Sequence, residues 1–363
     1  MEADKINALI VTAYKIPTDF PESDGTLEWD STTMILVEIT GMGKTGMGYT
    51  YADETAALFI AKKLSPVVLG QHPFAIGKIW NDLSVAIRNE GHCGLASMAF
   101  SAIDIALWDL KAKILDLPVC DLIGRAKDSA LIYGSGGFTS YSDERLEKQL
   151  GGWADQGFTA VKMKVGRHPQ KDIGRIRVAR NSIGEKTRLF IDANGAFSAK
   201  PSLEFADKVK KYDINWFEEP VSSDDPDGLK FIREHVAPGI KIAAGEYGYT
   251  MDYFLTMLQK GAVDVLQADA TRCGGITGFI KAGHLSEAFQ IPFSFHCAPA
   301  VHLHAAVGLP GFYIGEYFHD HARIENLFFD GVAQPVKGYL KPDLSRPGLG
   351  LIFKHQDAKP YQV

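Results

Sequence analysis

Two lysines stand one residue apart in the short run AVKMKV, whose composition is typical of a buried β-strand. Side chains two positions apart on a strand point to the same face, so Lys162 and Lys164 are predicted to share one. The next apolar run, RLFIDA, carries Asp192 near its end. Two adjacent ammonium groups near a divalent cation disfavour each other's charge, which lowers the pKa of one of them. The pair is therefore a candidate general base that faces a carboxylate.

Further ionisable residues follow late in, or just after, successive apolar runs. With Asp192 they form a series at intervals of about 20–30 residues, the length of one strand plus one helix in a β/α barrel. The carboxyl ends of such strands converge on one face, so we expect the whole series to line one cavity. Its members are Asp192, Glu218, Glu246, Asp269, His296 and Glu316.

Three acids of this series lie on three successive strands and could hold a metal ion. A single acid at a strand end is most often a helix cap or an ion-pair partner. Several buried carboxylates in one cavity, however, repel each other unless a cation lies between them. Mg²⁺ prefers hard oxygen ligands, so Asp192, Glu218 and Glu246 are predicted to bind one Mg²⁺. In WFEEP, strand alternation should send Glu218 and Glu219 to opposite faces of the strand. Glu218 is taken as the metal ligand, and Glu219 is predicted to support that ligand from behind or to lie at the start of the next helix.

Two other members of the series suggest an acid/base pair. Asp269 and His296 end neighbouring strands, where a carboxylate can fix the histidine tautomer and leave Nε2 free to exchange protons. His302 and His304 fall in the following helical segment and are predicted to be structural. Glu316, on the eighth strand, could donate a hydrogen bond in its protonated form if its surroundings raise its pKa.

The elements that must position these groups alternate from about residue 129 onward between short strands and amphipathic stretches, which predicts an α/β fold with a parallel barrel. The eight predicted strands are ALIYGS, AVKMKV, RLFIDA, INWFEEP, KIAAGE, VLQADA, PFSFH and FYIGEYF. Before them, INALIVTAYKI, TTMILVEITG and TGMGYTYA are predicted strands, and GLASMAFSAIDIALWDLKAKIL a helix. The stretch PTDFPESDGTLEWDS between the first two is predicted to be an exposed loop. These elements make a small α+β unit.

Composition excludes several classes of function. The 363 residues are 46% hydrophobic and carry a net charge of −6, with a pI near 6.0. Nucleic-acid binding and anionic-membrane binding need clustered Lys and Arg, so neither is expected. The N-terminal stretch lacks the basic start of a signal peptide, and no apolar run approaches the ~18 residues of a membrane span, so a cytoplasmic protein is expected. The four cysteines form no CxxC pair, and no cysteine zinc site is predicted.

Taken together, the motifs KMK, DANG, FEEP, GE, DATRCGGITG, FH and GEYF resemble the barrel signatures of the enolase superfamily, and most closely its mandelate racemase subgroup. The runs SMAFSAIDIALWDLKAK and PDLSRPGLGL extend the resemblance over nearly the whole chain. It implies a capping domain over residues 1–125, a modified TIM barrel over 126–325, and a C-terminal segment, 326–363, that returns to the cap.

The resemblance also implies a reaction. A carboxylate substrate would lose its α-proton to give an enediolate, with Lys164 on one face and the His296–Asp269 pair on the other. Lys162 and Mg²⁺ would place positive charge where negative charge develops. Glu316 would bind the second carboxylate oxygen, and Asn194 would also contact the substrate. A homo-oligomer is expected.

The overall outcome remains open at this stage. Reprotonation from the opposite face gives racemisation or epimerisation, whereas protonation of a β-hydroxyl leaving group by His296 gives dehydration to a 2-keto acid. The loop PTDFPESDGTLEWDS resembles the family's substrate-covering loop, and Asp19 and Trp29 in it are predicted to contact substrate. Its many polar groups favour a polyhydroxylated acid, so a sugar-acid dehydratase ranks first. A racemase or epimerase ranks second, a lactone cycloisomerase third, and a non-enzymatic binding protein last.

Overall fold

The computed structural model describes residues 4–363, so the first three residues of the N-terminal stretch lie outside it. The capping domain opens with an antiparallel sheet in the order β1–β2–β3. Its strands are β1 (Ile6–Ser23), β2 (Glu28–Gly41) and β3 (Lys44–Tyr51). Its helical segments are α1 (Thr55–Phe59), a π-helical turn (Ile60–Leu64), α2 (Ser65–Val68), α3 (Ile76–Ala86), α4 (Leu95–Ile114) and α5 (Val119–Ile123).

The long helix α4 packs closely across β3. A Cβ atom on Gly48 would lie 2.3 Å from the carbonyl oxygen of Ala102, so only glycine allows the strand to approach the helix backbone this closely. This packing gives the cap a hydrophobic core of its own, built from the inner faces of the sheet and the helices.

The predicted loop at residues 17–31 is instead a β-hairpin. Strand β1 continues to Ser23 and β2 begins at Glu28, with Glu22 paired opposite Trp29. The pairing is interrupted between Pro17 and Glu22, where two prolines lack the N–H that a ladder requires. The Pro- and Asp-rich composition therefore marks an irregular hairpin rather than a loop, and the prediction of an exposed loop is wrong. Glu22 and Ser23 are buried.

Eight parallel strands form the closed barrel, and the last pairs with the first. They are β4 (Ala130–Gly136), β5 (Ala160–Lys164), β6 (Arg188–Asp192), β7 (Ile214–Glu218), β8 (Lys241–Ala244), β9 (Val265–Ala268), β10 (Phe293–Phe295) and β11 (Phe312–Phe318). The connecting helices are α6 (Asp143–Asp155), α7 (Pro169–Ile183), α8 (Ala199–Val209) with a 3₁₀ turn (Lys210–Tyr212), α9 (Pro226–His235), α10 (Met251–Lys260), α11 (Gly275–Ala288) and α12 (Pro299–Val307). Each predicted strand corresponds to one of the eight, so the predicted barrel is confirmed.

Apolar side chains fill the lumen of the barrel below its polar mouth. Tyr133, Phe190 and Trp216 are fully buried there, and the rings of Phe190 and Trp216 stack with centroids 5.0 Å apart. The barrel is therefore a packed core rather than a pore, and the predicted series of ionisable residues lies at the carboxyl ends of its strands.

The C-terminal segment returns to the capping domain, as predicted. Phe353 packs against Tyr14 with ring centroids 5.4 Å apart, and the amide of Val363 donates to the carbonyl of Ala13. The predicted boundary after residue 325 falls inside α13, and the division at 125 and 325 stays a prediction. This part of the chain contains α13 (His319–Phe328), β12 (Phe329–Asp330), β13 (Tyr339–Leu340), β14 (Ile352–Phe353), α14 (His355–Ala358) and a 3₁₀ turn (Lys359–Tyr361). Among residues 4–363, every helix is too short or too polar to cross a bilayer.

Candidate active site

The two lysines of β5 point together into the barrel mouth, as their spacing predicts. Lys164 Nζ lies 2.6 Å from Oδ2 of Asp192, and Lys162 Nζ lies 3.3 Å from the same oxygen. Lys162 also contacts Glu218 and lies 2.8 Å from Oε1 of Glu316. Both ammonium groups are buried and compensated by carboxylates.

The three predicted ligand carboxylates lie side by side. Asp192 and Glu218 are register partners at the ends of β6 and β7, and Glu246 follows the end of β8 by two residues. One oxygen from each lies within 4.8 Å of the others, and all three side chains are buried. Oε2 of Glu246 has no hydrogen-bond partner among the described residues. A convergent set of hard oxygen donors fits a divalent cation such as Mg²⁺.

Hydrogen bonds fix the orientation of two of these carboxylates. The indole N–H of Trp216 donates to Oε2 of Glu218 at 2.8 Å, and the backbone N–H of Asn194 donates to Oδ1 of Asp192 at 2.9 Å. Burial raises the pKa of Glu218 to about 8, assisted by the neighbouring acids and opposed by Lys162. A cation would favour the ionised form of such a crowded carboxylate.

Glu219 comes directly after the end of β7, and its φ of +38° is left-handed, so strand alternation does not fix the direction of its side chain. Burial raises its pKa well above the usual value, and the charges of Glu246 and Asp192 raise it further. The side chain is buried and lines a neighbouring cavity with Asn194 and Tyr247. Its assignment behind the ligand Glu218 or at the start of the next helix stays a prediction.

The protein groups around Lys164 raise its pKa. Burial lowers its pKa and Lys162 lowers it further, as expected, but the carboxylate of Asp192 outweighs both and raises it above the ordinary value. The pKa of Lys162 is raised well above its usual range, because Glu218 and Glu316 outweigh the effect of burial. The protein groups alone thus hold both lysines charged, and the lysine pair by itself does not supply a neutral base.

His296 and Asp269 form the predicted pair. Nδ1 of His296 lies 2.8 Å from Oδ2 of Asp269, while the other carboxylate oxygen accepts from the backbone and hydroxyl of Thr271. Burial favours neutral histidine, but the nearby charges of Glu246 and Glu316 outweigh it and raise the pKa of His296. With Nδ1–H directed at Asp269, Nε2 faces the barrel mouth and can exchange a proton.

The surroundings of Glu316 favour its ionised form. Burial alone would raise its pKa, but Lys162 and His296 outweigh burial and lower it well below the usual value. Its oxygens accept from the hydroxyl of Ser135 at 2.6 Å and from the backbone N–H of Cys297 at 2.9 Å. The condition for a protonated, hydrogen-bond-donating Glu316 is not met by these protein groups, and this expectation is corrected.

A cavity of about 690 Å³ joins these groups to the capping domain. From the barrel it is lined by Lys164, Asn194, Glu246 and His296. From the cap it is lined by Asp24, Leu27, Trp29, Ser31, Thr32, Thr33, Tyr51, Ala52 and Asp53. The cap thus closes the mouth with a surface rich in hydroxyl and carboxylate groups. The two candidate bases face a single space.

Two family models together match most of the chain. "Mandelate racemase / muconate lactonizing enzyme, N-terminal domain" matches residues 8–124, and "Enolase C-terminal domain-like" matches residues 145–358. The chain belongs to the mandelate racemase/muconate lactonizing enzyme family. The predicted membership of the enolase superfamily is confirmed.

Solved structures of family members share the whole fold. A mandelate racemase/muconate lactonizing enzyme-like protein from Rubrobacter xylanophilus is 50% identical, with a TM-score of 0.97 over 99% of this chain and 100% of that one. L-talarate/galactarate dehydratase from Salmonella typhimurium LT2, liganded with Mg and L-lyxarohydroxamate, is 28% identical, with a TM-score of 0.91 over 99% and 93%.

Curated relatives in the family are sugar-acid enzymes. D-galactarolactone cycloisomerase from Agrobacterium fabrum is 31% identical over 78% of this chain and 75% of its own. The Salmonella typhimurium L-talarate/galactarate dehydratase is 32% identical over 76% of this chain and 71% of its own. Family membership is therefore shared by dehydratases and cycloisomerases.

Three residues were predicted to bind substrate in addition to the lysines and Glu316, and the structure places them differently. Asn194 and Trp29 line the cavity, and Oδ1 of Asn194 has no partner among the described residues. Asp19 is outside the lining and is paired with Arg145 and His319. These two contacts tie the hairpin to the barrel, and substrate contact by Asn194, Trp29 and Asp19 stays a prediction.

Sequence reasoning missed several residues at this site of the family fold. Arg272 lines the cavity and lies 3.5 Å from Glu246 and 3.7 Å from Asp269. Cys297 lies 3.1 Å from Nε2 of His296. Arg272 follows Asp269 by three residues and Cys297 directly follows His296, so proximity to a series member was the available signal. His302 and His304 are buried in α12 and hydrogen-bonded to backbone, consistent with the predicted structural role.

Substitution of Gly245 by alanine is expected to damage both the fold and the metal site. Gly245 has φ +138°, and an added Cβ would lie 1.9 Å from the carbonyl oxygen of Gln267. Strain and overpacking together should lower the free energy of unfolding by about 2–5 kcal/mol. Because Glu246 is the next residue, Mg²⁺ affinity should fall too. Chemical denaturation and calorimetry measure the two effects, with Gly239→Ala, where a Cβ meets nothing within 4 Å, as the matched control.

Proposed function

We propose that this protein removes the α-proton of a sugar acid in a Mg²⁺-dependent step and then eliminates the β-hydroxyl, giving a 2-keto-3-deoxy acid. One observation carries the proposal: Lys164 and His296 line a single cavity beside three convergent carboxylates. Lys164 ends strand β5, and His296 directly follows strand β10. Two proton-transfer groups that approach one space from different strands can act on different atoms of a bound substrate.

Asp192, Glu218 and Glu246 are the groups that would hold Mg²⁺. Their oxygens converge, belong to three successive strands and match the ligand type that this ion prefers. When bound, Mg²⁺ supplies positive charge that stabilises the enediolate formed from the substrate carboxylate. It also offsets the carboxylate charge that raises the pKa of Lys164.

The remaining side chains have separate roles in this proposal. Lys164 takes the α-proton and His296, oriented by Asp269, delivers a proton to the leaving hydroxyl. Lys162 lies beside the ligand carboxylates and adds fixed positive charge where negative charge develops. Glu316 accepts bonds from Ser135, Lys162 and the amide of Cys297, so its role here is to hold Lys162 and the start of the segment after β10 in place.

The lining of the cap favours a polyhydroxylated substrate. Its polar groups include the hydroxyl of Tyr51, which has no hydrogen-bond partner among the described residues, and the hydroxyls of Ser31, Thr32 and Thr33. The hydroxyls of Ser31 and Thr32 bond to Asp30 and Asp320, whereas Oδ1 of Asn194, like the hydroxyl of Tyr51, has no partner among the described residues. Buried polar atoms without partners favour a substrate that can pair them over an apolar one. The relatives named as galactarate and arabinonate dehydratases agree with this substrate class.

A racemase or epimerase is the second candidate, since proton donors on two faces can also invert the α-carbon. Cycloisomerisation of a lactone ranks third, with support from the relatives named as cycloisomerases. The homo-oligomer and the cytoplasmic location remain predictions.

A panel of aldonic and aldaric acids separates these reactions. Each acid is incubated with enzyme and Mg²⁺, and products are identified by a 2-keto acid assay and by NMR. Formation of a 2-keto-3-deoxy acid from at least one member is the expected result. Inversion of an α-substituted acid without any 2-keto acid would support the second candidate instead, and lactone opening or closure would support the third.

A further inference from the structure

Three donor atoms of different chemistry meet on the β10–β11 side of the cavity. Sγ of Cys297 lies 3.1 Å from Nε2 of His296 and 3.5 Å from Oε2 of Glu316. The third edge of the triangle, from Nε2 to Oε2, is 3.7 Å. His296 and Cys297 line the open cavity, so a small cation can reach both.

The triangle has the dimensions of one face of a zinc tetrahedron. Zinc bonds of about 2.0–2.3 Å to nitrogen, oxygen and sulfur separate neighbouring ligand atoms by about 3.3–3.6 Å. The three observed distances lie within about 0.5 Å of that range. A thiol is a poor ligand for Mg²⁺ but a good one for zinc and related metals. We propose that His296, Cys297 and Glu316 form a second metal site, selective for Zn²⁺-like ions, which blocks the enzyme by occupying Nε2 of His296.

The local backbone and hydrogen bonds prepare all three ligands. Cys297 and Ala298 have consecutive positive φ values, +51° and +38°, which turn the chain sharply after His296. Asp269 binds Nδ1 of His296 and leaves Nε2 available to a metal, as carboxylates that support metal-bound histidines do. The amide of Cys297 donates to Oε2 of Glu316 and fixes that carboxylate.

Charge and protons balance on binding. One Zn²⁺ enters, the thiol of Cys297 releases one proton to solvent, and the thiolate and the Glu316 carboxylate together neutralise the ion. Neutral His296 contributes its lone pair, and the fourth position faces the cavity, where water can bind. Lys162 pairs with the other oxygen of Glu316, Oε1, and leaves Oε2 for the metal. The sequence does not predict this site because Glu316 is far along the chain and no CxxC pair is present.

Zinc binding in a large excess of Mg²⁺ tests the site without any need for a substrate. Calorimetry on the wild-type chain should find one Zn²⁺ bound per chain that Mg²⁺ does not displace. Cys297→Ser should weaken this binding at least about 100-fold, since loss of a ligand costs no less than loss of its supporting partner. Cys93→Ser, at an exposed thiol, is the matched control and should bind zinc like the wild type.

Co²⁺ gives a second readout that does not depend on a variant. Bound to the wild type in excess Mg²⁺, it should show a thiolate-to-cobalt absorption band, which alkylation of Cys297 removes. If zinc binds only where Mg²⁺ displaces it, if Cys297→Ser keeps wild-type affinity, or if no thiolate band forms, the second site is disproved. The expected inhibition of turnover by zinc, not relieved by added Mg²⁺, rests on the proposed function. The zinc calorimetry and the cobalt absorption experiments do not depend on the proposed function.

Discussion

Replacement of Asp192 by asparagine should abolish Mg²⁺ binding at physiological concentrations while the chain still folds. The amide keeps the size of the side chain and can still accept from Lys164 Nζ, which lies 2.6 Å from Oδ2, but it removes one of three charged ligands. Affinity should fall at least about 100-fold, and turnover should fall with it. Calorimetric titration with Mg²⁺ measures the first effect, and circular dichroism establishes that the variant is folded.

Asp264→Asn is a suitable control for this experiment. Asp264 precedes β9 at the opposite end of the barrel, where it accepts from Arg233 at 2.6 Å and from the amide of Ile242. Its substitution should lower stability without changing Mg²⁺ affinity. A folded Asp192→Asn variant that binds Mg²⁺ as tightly as the wild type would remove Asp192 from the proposed ligand set.

Loss of either proposed acid/base group should reduce kcat by roughly 10²–10⁴-fold or more, but with different residual reactions. Lys164→Met removes the base for a substrate whose α-proton faces β5, so both proton exchange and elimination should stop. His296→Asn removes only the acid for the leaving hydroxyl. That variant should therefore still exchange the α-proton with deuterated water while 2-keto acid formation stops.

The matched control is His284→Asn, which changes a largely exposed histidine on α11 and should leave both reactions at the wild-type level. Wild-type kcat in either active-site variant would overturn the role given to that residue. If His296→Asn lost exchange and elimination together on every substrate tested, the division of labour between the two faces would be wrong.

Much of the barrel mouth could be predicted because its signals are local. Lys162 and Lys164 share a face through the two-residue period of a strand, and the acids at later strand ends follow the repeat of strand plus helix. The structure brings Asp192, Glu218 and Glu246 together as that repeat requires.

What could not be predicted depends on contacts distant in sequence or on single backbone angles. Glu219 has a left-handed φ directly after β7, and no strand pattern encodes that angle. The pKa values of Lys164 and Glu316 are set by the number of opposite charges packed around each, which requires the three-dimensional arrangement. The hairpin at residues 17–31 has the composition of a loop, and its partner strand and the burial of Glu22 give it order.

Exchange of the substrate α-proton with solvent deuterium is the most direct measurement of the proposed chemistry. The wild-type enzyme is incubated in deuterated water with sugar acids, in parallel with and without Mg²⁺. Deuterium is followed by NMR at the α-carbon of remaining substrate and at C3 of the 2-keto-3-deoxy product, whose α-carbon is a carbonyl without hydrogen. Incorporation that requires Mg²⁺ and disappears in Lys164→Met is the predicted result for a substrate whose α-proton faces β5. Turnover of a sugar acid to a product that keeps the substrate's own hydrogen at the α-carbon, or incorporation that is independent of Mg²⁺, would contradict α-proton abstraction at this site.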